Sequence, residues 1–325
     1  MTRAVRISET GGPEVLRLEN LELPEPGAGE VRVRHTVIGL NFIDTYHRTG
    51  LYELSGFPHG LGVEAAGYVE ALGADVSGWS VGQRVAYAGG PPGAYAEARN
   101  LPARLLVPLP DDVDDETAAA GLLKGMTVEY LVRRTVRVAA GDNVLLHAAA
   151  GGVGSIACQW LRTLGARVIG TVSSDAKAEL AKRYGCDEVV VTTREDFVAR
   201  VRELTSGQGV RVVYDSVGKD TFRRGLDCLE RRGTLVGFGN ASGKPEPLDV
   251  SLLAARGSLF VTRPVLFDYT ATREELLASA AELFAVIRSG AVRIPVGQRF
   301  ALADVADAHR ALEARKTTGS TLLLP

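Results

Sequence analysis

The 325-residue chain has only three cysteines, Cys158, Cys186 and Cys228, and none stands in a C-x-x-C pair. That spacing offers neither a disulfide framework nor a cysteine-built structural zinc site, and it fits a reducing cytoplasmic setting. A charge excess of one sign is also missing. Its 37 basic and 39 acidic side chains leave a formal net charge of −2. With no basic field to attract nucleic acid or an anionic membrane, neither is expected as a partner. The five histidines (His35, His47, His59, His147, His309) lack metal-ligand spacing, so no metal is expected. Met1–Pro13 holds no apolar segment of the signal-peptide kind. The longest charge-free run, Asn143–Leu161, is interrupted by adjacent glycines and by His147, Ser155 and Gln159, which argues against a membrane span.

What is present centres on residues 143–177. Asn143–His147 reads as a buried parallel strand, and Ala149, Gly151 and Gly154 keep the G-x-G-x-x-G spacing with alanine in first place. Val153–Leu164 then reads as a helix and Ala166–Val172 as a second strand. Strand, glycine turn, helix and strand in that order form a dinucleotide site, because small residues admit a pyrophosphate to the backbone and the helix start favours its charge. About twenty residues past the turn, an NAD site places an acid on the ribose 2′-hydroxyl. Here the chain reads Ser173, Ser174, Asp175, Ala176, Lys177. Hydroxyls and an ammonium suit a 2′-phosphate, so NADPH is expected, with Asp175 read as the cap of a helix Ala176–Tyr184.

The first 110 residues or so are strand- and turn-rich, with strands expected at Arg3–Ile7, Leu16–Leu23, Glu30–Ile38, Ala65–Leu72, Arg84–Tyr87 and Gly93–Ala98 and a short helix at Asn41–Arg48. Thr117–Arg134 is helix-rich. From Asp142 the pattern alternates, with six strands (Val144–His147, Arg167–Thr171, Glu188–Val191, Val210–Asp215, Thr234–Phe238, Ser258–Thr262) and helices between them, among them Asp196–Thr205 and Asp220–Leu229. This describes an α/β protein: a doubly wound parallel Rossmann sheet at 124–267, and a β-rich barrel domain made of 1–123 and 268–325. Helix Arg273–Ser289 and strand Thr321–Leu324 are expected to return to that barrel domain.

Several short sequence stretches, in order along nearly the whole chain, carry a family likeness. They include Gly11–Leu16, Asn41–Tyr46, Gly62–Gly67, Leu123–Thr127, Val212–Gly218, Gly237–Gly243, Thr262–Pro264 and Gly319–Pro325. The chain resembles the zeta-crystallin-like NADPH:quinone oxidoreductases, the zinc-free branch of the medium-chain dehydrogenase/reductase superfamily, and is most similar to the bacterial quinone reductases. The resemblance implies that the β-rich domain is GroES-like. Zinc-dependent alcohol dehydrogenases have a catalytic cysteine near residue 41 and a following G-H-E motif, whereas this chain has Asn41 and Val63-Glu64.

The resemblance also implies site residues. Phe42, Ile43, Asp44, Thr45 and Tyr46 line the nicotinamide end with Tyr130 near it, while Gly151, Gly152, Val153 and Gly154 meet the pyrophosphate. Ser173, Ser174 and Lys177 take the adenosine phosphate, and Arg315 a phosphate or ribose. Ser216, Phe238, Gly239, Asn240 and Ala241 lie at strand ends, and Pro264, Val265 and Leu266 pass the carboxamide. Ordinary packing would equally explain Tyr130 and Phe238, and turn formation Asn240. Where relatives use a tyrosine at the adenosine phosphate, this chain has Thr192.

A quinone is already electrophilic and needs no metal to polarise it, so the expected activity is zinc-independent, NADPH-dependent quinone reduction in the interdomain cleft. Asn41, Tyr46, Tyr52 and Thr127 are the candidate cleft wall, with no obligatory acid among them. The alternatives are reduction of activated alkenes such as enones, which needs a positioned proton donor, and a non-catalytic NADPH-binding or nucleic-acid-binding role. Lys124, beside the domain junction, reads as structural. The family further suggests a homodimer joined at the edge strand Ser258–Thr262.

Overall fold

Period-two apolar patterning over 1–110 and strand–helix alternation beyond 142 dictate two kinds of element, and the computed structural model, which describes residues 1–325, contains both. In chain order the elements are β1 Thr2–Ile7, β2 Arg17–Leu21, β3 Glu30–Leu40, α1 Phe42–Thr49, β4 His59–Gly60, β5 Glu64–Leu72, β6 Arg84–Ala88, β7 Ala98–Pro102, β8 Val107–Pro108 and α2 Asp115–Glu129. A π-helical segment, Tyr130–Thr135, follows. Next come β9 Asn143–Leu146, α3 Gly152–Thr163, β10 Arg167–Val172, α4 Asp175–Arg183, β11 Glu188–Val191, α5 Phe197–Leu204, β12 Val210–Asp215, α6 Phe222–Gly225 and β13 Leu229–Gly237. The last are α7 Ser251–Ala255, β14 Phe260–Thr262, α8 Leu266–Tyr269, α9 Arg273–Arg288, β15 Val296–Ala301, α10 Val305–Glu313 and β16 Ser320–Leu324.

The chain divides into two compact units, Met1–Lys124 with Thr270–Phe284 and Ile294–Pro325, and Gly125–Tyr269 with Ala285–Arg293. The segment Ala285–Arg293, assigned from sequence to the barrel domain, groups with the second unit. Gln159 ties it there, its side chain bonding both the Arg293 carbonyl and the Arg293 N–H at 2.9 Å.

The first unit is GroES-like. Its main sheet has the order β15-β16-β3-β5-β6-β8, with β7 also on β3, and a second sheet has the order β2-β1-β4. Both cover an apolar core that includes Val33, Ile38, Tyr87, Tyr95 and Leu323. The second unit is a Rossmann sheet of six parallel strands in the order β11-β10-β9-β12-β13-β14. Its central strands β9 and β12 carry continuous apolar runs, Val144–Leu146 and Val212–Tyr214, as burial on both faces requires. The order reverses beside β9, which leaves a switch point at its C-terminal end.

Three expected elements moved. The strand placed at Gly93–Ala98 lies instead at Ala98–Pro102, because pairing with β3 from Glu30↔Pro102 to Arg34↔Ala98 sets its position. The helix placed at Asp220–Leu229 is reduced to α6 and one 3-10 turn, and β13 starts five residues before the expected Thr234. Arg232, in the left-handed region at φ 61°, lets that early part bend while still pairing with β12. Further elements stand where the sequence reading places none: the short β4, β8, α7 and α8, and the longer β15 and α10. Helix α10 buries Val305, Ala308, His309 and Leu312 on one face, a helical pattern that was present in the sequence.

Candidate active site

In the second unit, β9 runs into a turn where Ala148 adopts a left-handed φ of 55° and Ala149 N–H bonds the Thr171 carbonyl at 3.0 Å. Gly151 is the N-cap of α3, and no side chain closes that cap. The N–H groups of the helix's first turn are thus left for an anion, and the helix dipole favours one there. Gly154 is needed for a different reason. A Cβ on it would lie 2.2 Å from the Ala148 carbonyl oxygen, so glycine lets α3 pack against the turn. Gly151, Gly152, Val153 and Gly154 are all on this turn and helix start, and a dinucleotide pyrophosphate fits them.

Beyond β10 stand Ser173 and Ser174. Ser174, not Asp175, is the N-cap of α4, its Oγ accepting from Lys177 N at 3.4 Å. Asp175 is instead the first helical residue, and its carboxylate pairs with the Arg194 guanidinium. Both residue types cap well, and the choice falls to Ser174 because the extended backbone ends there. Thr192 turns its hydroxyl to the Val172 carbonyl at 3.1 Å.

The loops after β12 and β13 are joined to each other. Asp215 is fully buried and accepts from Val217 N, Gly218 N and Thr221 Oγ1 at 2.7–3.0 Å. Phe238 N–H bonds the Asp215 carbonyl and Ala241 N–H the Ser216 carbonyl. Gly239 passes so close to Ser216 that a Cβ would meet its carbonyl oxygen at 2.4 Å. Ser216, Phe238, Gly239, Asn240 and Ala241 therefore form one surface at the carboxyl ends of the strands, and Pro264–Leu266 follow β14 at the same edge. A cavity of about 370 Å³ there is lined by Gly239, Asn240, Leu248 and Arg263 among others. Tyr130 is buried and stacks on Tyr269 with ring centres 4.5 Å apart. His147 donates to or accepts from Thr171 Oγ1 at 2.9 Å, while its buried Nε2 meets no partner, and burial lowers its pKa.

In the first unit, Asn41 is the N-cap of α1. Its side-chain amide donates to Glu64 Oε2 at 2.8 Å. The same carboxylate takes Lys124 Nζ at 3.2 Å and, on its other oxygen, Leu123 N–H at 2.6 Å. Lys124 thus anchors α2 to β5. One amide hydrogen expected for a quinone oxygen is already committed to Glu64. Tyr46 and Tyr52 meet edge to face at 5.2 Å, with Phe42 6.4 Å from Tyr46. Thr45 is buried and bonds the Phe42 carbonyl. Thr127, three residues beyond Lys124 on α2, is buried and belongs to the second unit.

Asp44 faces inward, although the sequence reading placed it among the nicotinamide contacts. Its Oδ2 accepts from Asn41 N–H and from Tyr95 O–H, both at 2.8 Å, while its buried Oδ1 has no partner. Burial raises its pKa to about 7. Tyr95 Oη also meets His309 Nε2 at 3.1 Å, and Arg48 Nη1 meets His309 Nδ1 at 3.0 Å. Arginine only donates, so His309 Nδ1 accepts and its Nε2–H donates to Tyr95. This neutral imidazole agrees with a pKa lowered to about 3 by burial and by Arg48. Arg48 ends the chain on Glu313 of α10. Sequence reasoning missed this network, whose members lie up to 265 residues apart. Arg315, just past α10, is exposed with a left-handed φ of 57°.

No three histidine, cysteine or acidic side chains converge on a metal-binding point. At the positions where the zinc branch places its ligands, this chain presents a carboxamide, a valine and a carboxylate already tied to Lys124, and that donor set does not fit zinc.

Residues 27–111 match the family model described as the alcohol dehydrogenase GroES-like domain, and 152–281 the one described as zinc-binding dehydrogenase. A quinone oxidoreductase of Pseudomonas aeruginosa is 53% identical over the full length of both chains. The chain belongs to the quinone oxidoreductase family of the medium-chain dehydrogenase/reductase superfamily. Within the quinone oxidoreductase family, the crystal structure of Escherichia coli quinone oxidoreductase complexed with NADPH superposes with a TM-score of 0.98, at 47% identity and with both chains fully covered. A 2-haloacrylate reductase of a Burkholderia species is 45% identical, over all of this chain and 99% of its own length.

Proposed function

We propose that the protein is an NADPH-dependent, zinc-independent quinone oxidoreductase. The observation that carries this reading is the full-length identity to quinone oxidoreductases, joined to an uncapped α3 start where a pyrophosphate fits. Bound NADPH supplies the reducing equivalents. The chain's task is to hold the cofactor and the acceptor in register and exclude water. Gly151–Gly154 hold the pyrophosphate, Ser173 and Lys177 the adenosine phosphate, and Arg315 a phosphate or ribose oxygen. Ser216, Phe238–Ala241 and Pro264–Leu266 hold the nicotinamide half. Asn41, Tyr46, Tyr52 and Thr127 contact the quinone, with the tyrosines stacking or donating a hydrogen bond.

A second reading, reduction of activated alkenes, is favoured by the similarity to a 2-haloacrylate reductase. NADPH oxidation measured with a panel of 1,4-benzoquinones beside enones and haloacrylates separates the two. Turnover with quinones is expected, and a protein that oxidises NADPH with no quinone is not a quinone oxidoreductase. No helix is long and apolar enough to cross a membrane. We place the protein in the cytoplasm as a homodimer joined at β14, an edge strand that leaves Phe260 exposed. A monomeric mass by light scattering would contradict the dimer.

A further inference from the structure

The ends of β10 and β11 lie side by side, in parallel register through Val172↔Val191. Three hydroxyls around this point, those of Thr192, Thr193 and Ser174, are turned toward backbone. Thr192 Oγ1 donates to the Val172 carbonyl at 3.1 Å, and Thr193 Oγ1 to the Ser173 carbonyl at 3.4 Å. Ser174 Oγ serves as the α4 cap. Charged groups dominate what is left. Lys177 is on the first turn of α4, and Arg194 reaches from the loop after β11 across to Asp175 on that same turn.

An acid at the end of the second strand is what selects an unphosphorylated ribose, since a carboxylate accepts from the 2′-hydroxyl and repels a 2′-phosphate; the strand end here carries no acid, and Asp175, on the first turn of α4, is the nearest one along the chain. Here the acid is neutralised. Its guanidinium partner is itself more than half exposed, and although its Nε lies 3.9 Å from Glu195 Oε1 it keeps further N–H donors, and a planar guanidinium can bind two phosphate oxygens at once. We propose that Arg194 is the residue that makes the site select the phosphorylated dinucleotide, by neutralising Asp175 and donating to the 2′-phosphate. The inference rests on the NADPH reading above and adds to it the residue that decides between the two cofactors. Without Arg194, Asp175 is released and the site turns toward NADH.

The test is equilibrium fluorescence titration with NADPH and NADH of the wild type, Arg194→Ala, Asp175→Asn with Arg194→Ala, and Lys177→Ala, each checked for an unchanged melting temperature. Arg194→Ala is expected to weaken NADPH binding about tenfold or more while NADH binds as well or better. The double variant is expected to recover part of the loss for NADPH. Equal effects of Arg194→Ala on both cofactors, no effect on either, or a double variant no better than Arg194→Ala overturns the inference. If the wild type binds NADPH no tighter than NADH, the NADPH reading falls with it. If the wild type prefers NADPH and loses that preference in Lys177→Ala but not in Arg194→Ala, only the role of Arg194 falls.

Discussion

The two units use buried polarity in opposite ways. In the first, Asp44, Tyr95, His309 and Arg48 form a hydrogen-bonded chain through the interior and join α1 to the late helix α10. His35 adds a second such link, donating from Nδ1 to the Ala96 carbonyl at 2.7 Å and accepting from Tyr87 O–H at 3.0 Å. In the second, the core around Leu145, Ile169, Val190, Val213 and Leu235 is aliphatic, and the groups offered to a ligand are backbone amides and loops at strand ends. Backbone chemistry at a turn is specified by a few adjacent residues. A side-chain network is specified only once distant segments have met, so it holds the first unit together by contacts no short motif encodes.

The contrast breaks most severely at Gly154. Gly154→Val would drive a side chain into the Ala148 carbonyl, so a stability loss of about 3 kcal/mol or more is expected together with loss of NADPH binding. Urea unfolding and cofactor titration measure the two. A variant that keeps both would show that the turn tolerates α3 at a greater distance.

The first unit predicts a pH signature. Asp44 has its folded pKa raised to about 7, so its contribution to stability is complete below its unfolded value near 4 and is lost as pH rises to 7. His309, lowered to about 3, contributes fully above its unfolded value near 6.5 and loses that as pH falls toward 3. The two oppose each other between pH 4 and 6.5. Asp44→Asn should therefore make stability climb more steeply with pH in that window, and His309→Gln should tilt it the other way, each by up to ~1.4 kcal/mol per pH unit. Unfolding free energies at pH 4.5, 5.5 and 6.5 decide the matter, and parallel profiles for the two variants would mean that neither group titrates as described.

Smaller effects sharpen the comparison. Tyr95→Phe removes a hydroxyl that serves both Asp44 and His309, leaving the buried His309 Nε2–H unsatisfied and Asp44 Oδ2 with the Asn41 N–H alone, at a cost of ~2–3 kcal/mol. Tyr214→Phe, in the second unit, removes a single bond to the Leu131 carbonyl at 2.9 Å and should cost only about 1 kcal/mol. Chemical denaturation of the pair gives the difference, and equal losses would remove the distinction between a network and an isolated bond.

Much of the second unit was legible because its signals are local. The strand, glycine turn, helix and strand from Asn143 to Val172 came from apolar runs and the Ala149, Gly151, Gly154 spacing. The choice of cap between Ser174 and Asp175 was not legible, since both side chains suit the position and backbone geometry alone decides. In the first unit the alternation of Glu30–Ile38 was readable, but the strand near Gly93 was misplaced because its position depends on pairing with β3. Helix α10 carried an amphipathic signal that was available and overlooked. Its partner Arg48 could not have been inferred, because nothing across a separation of 261 residues marks the pair.

Residue types at close spacing are enough to read a Rossmann sheet, its glycine turn, the absence of a strand-end acid at Ser173, and a carboxamide and a valine at Asn41 and Val63 where zinc donors would stand. Folding alone turns Asp44 inward to Tyr95, gathers Asn41 and Lys124 on the Glu64 carboxylate, and brings Arg194 onto Asp175. Charge pairing and burial depend on which side chains folding brings within a few ångströms of each other, and sequence separation does not record that distance.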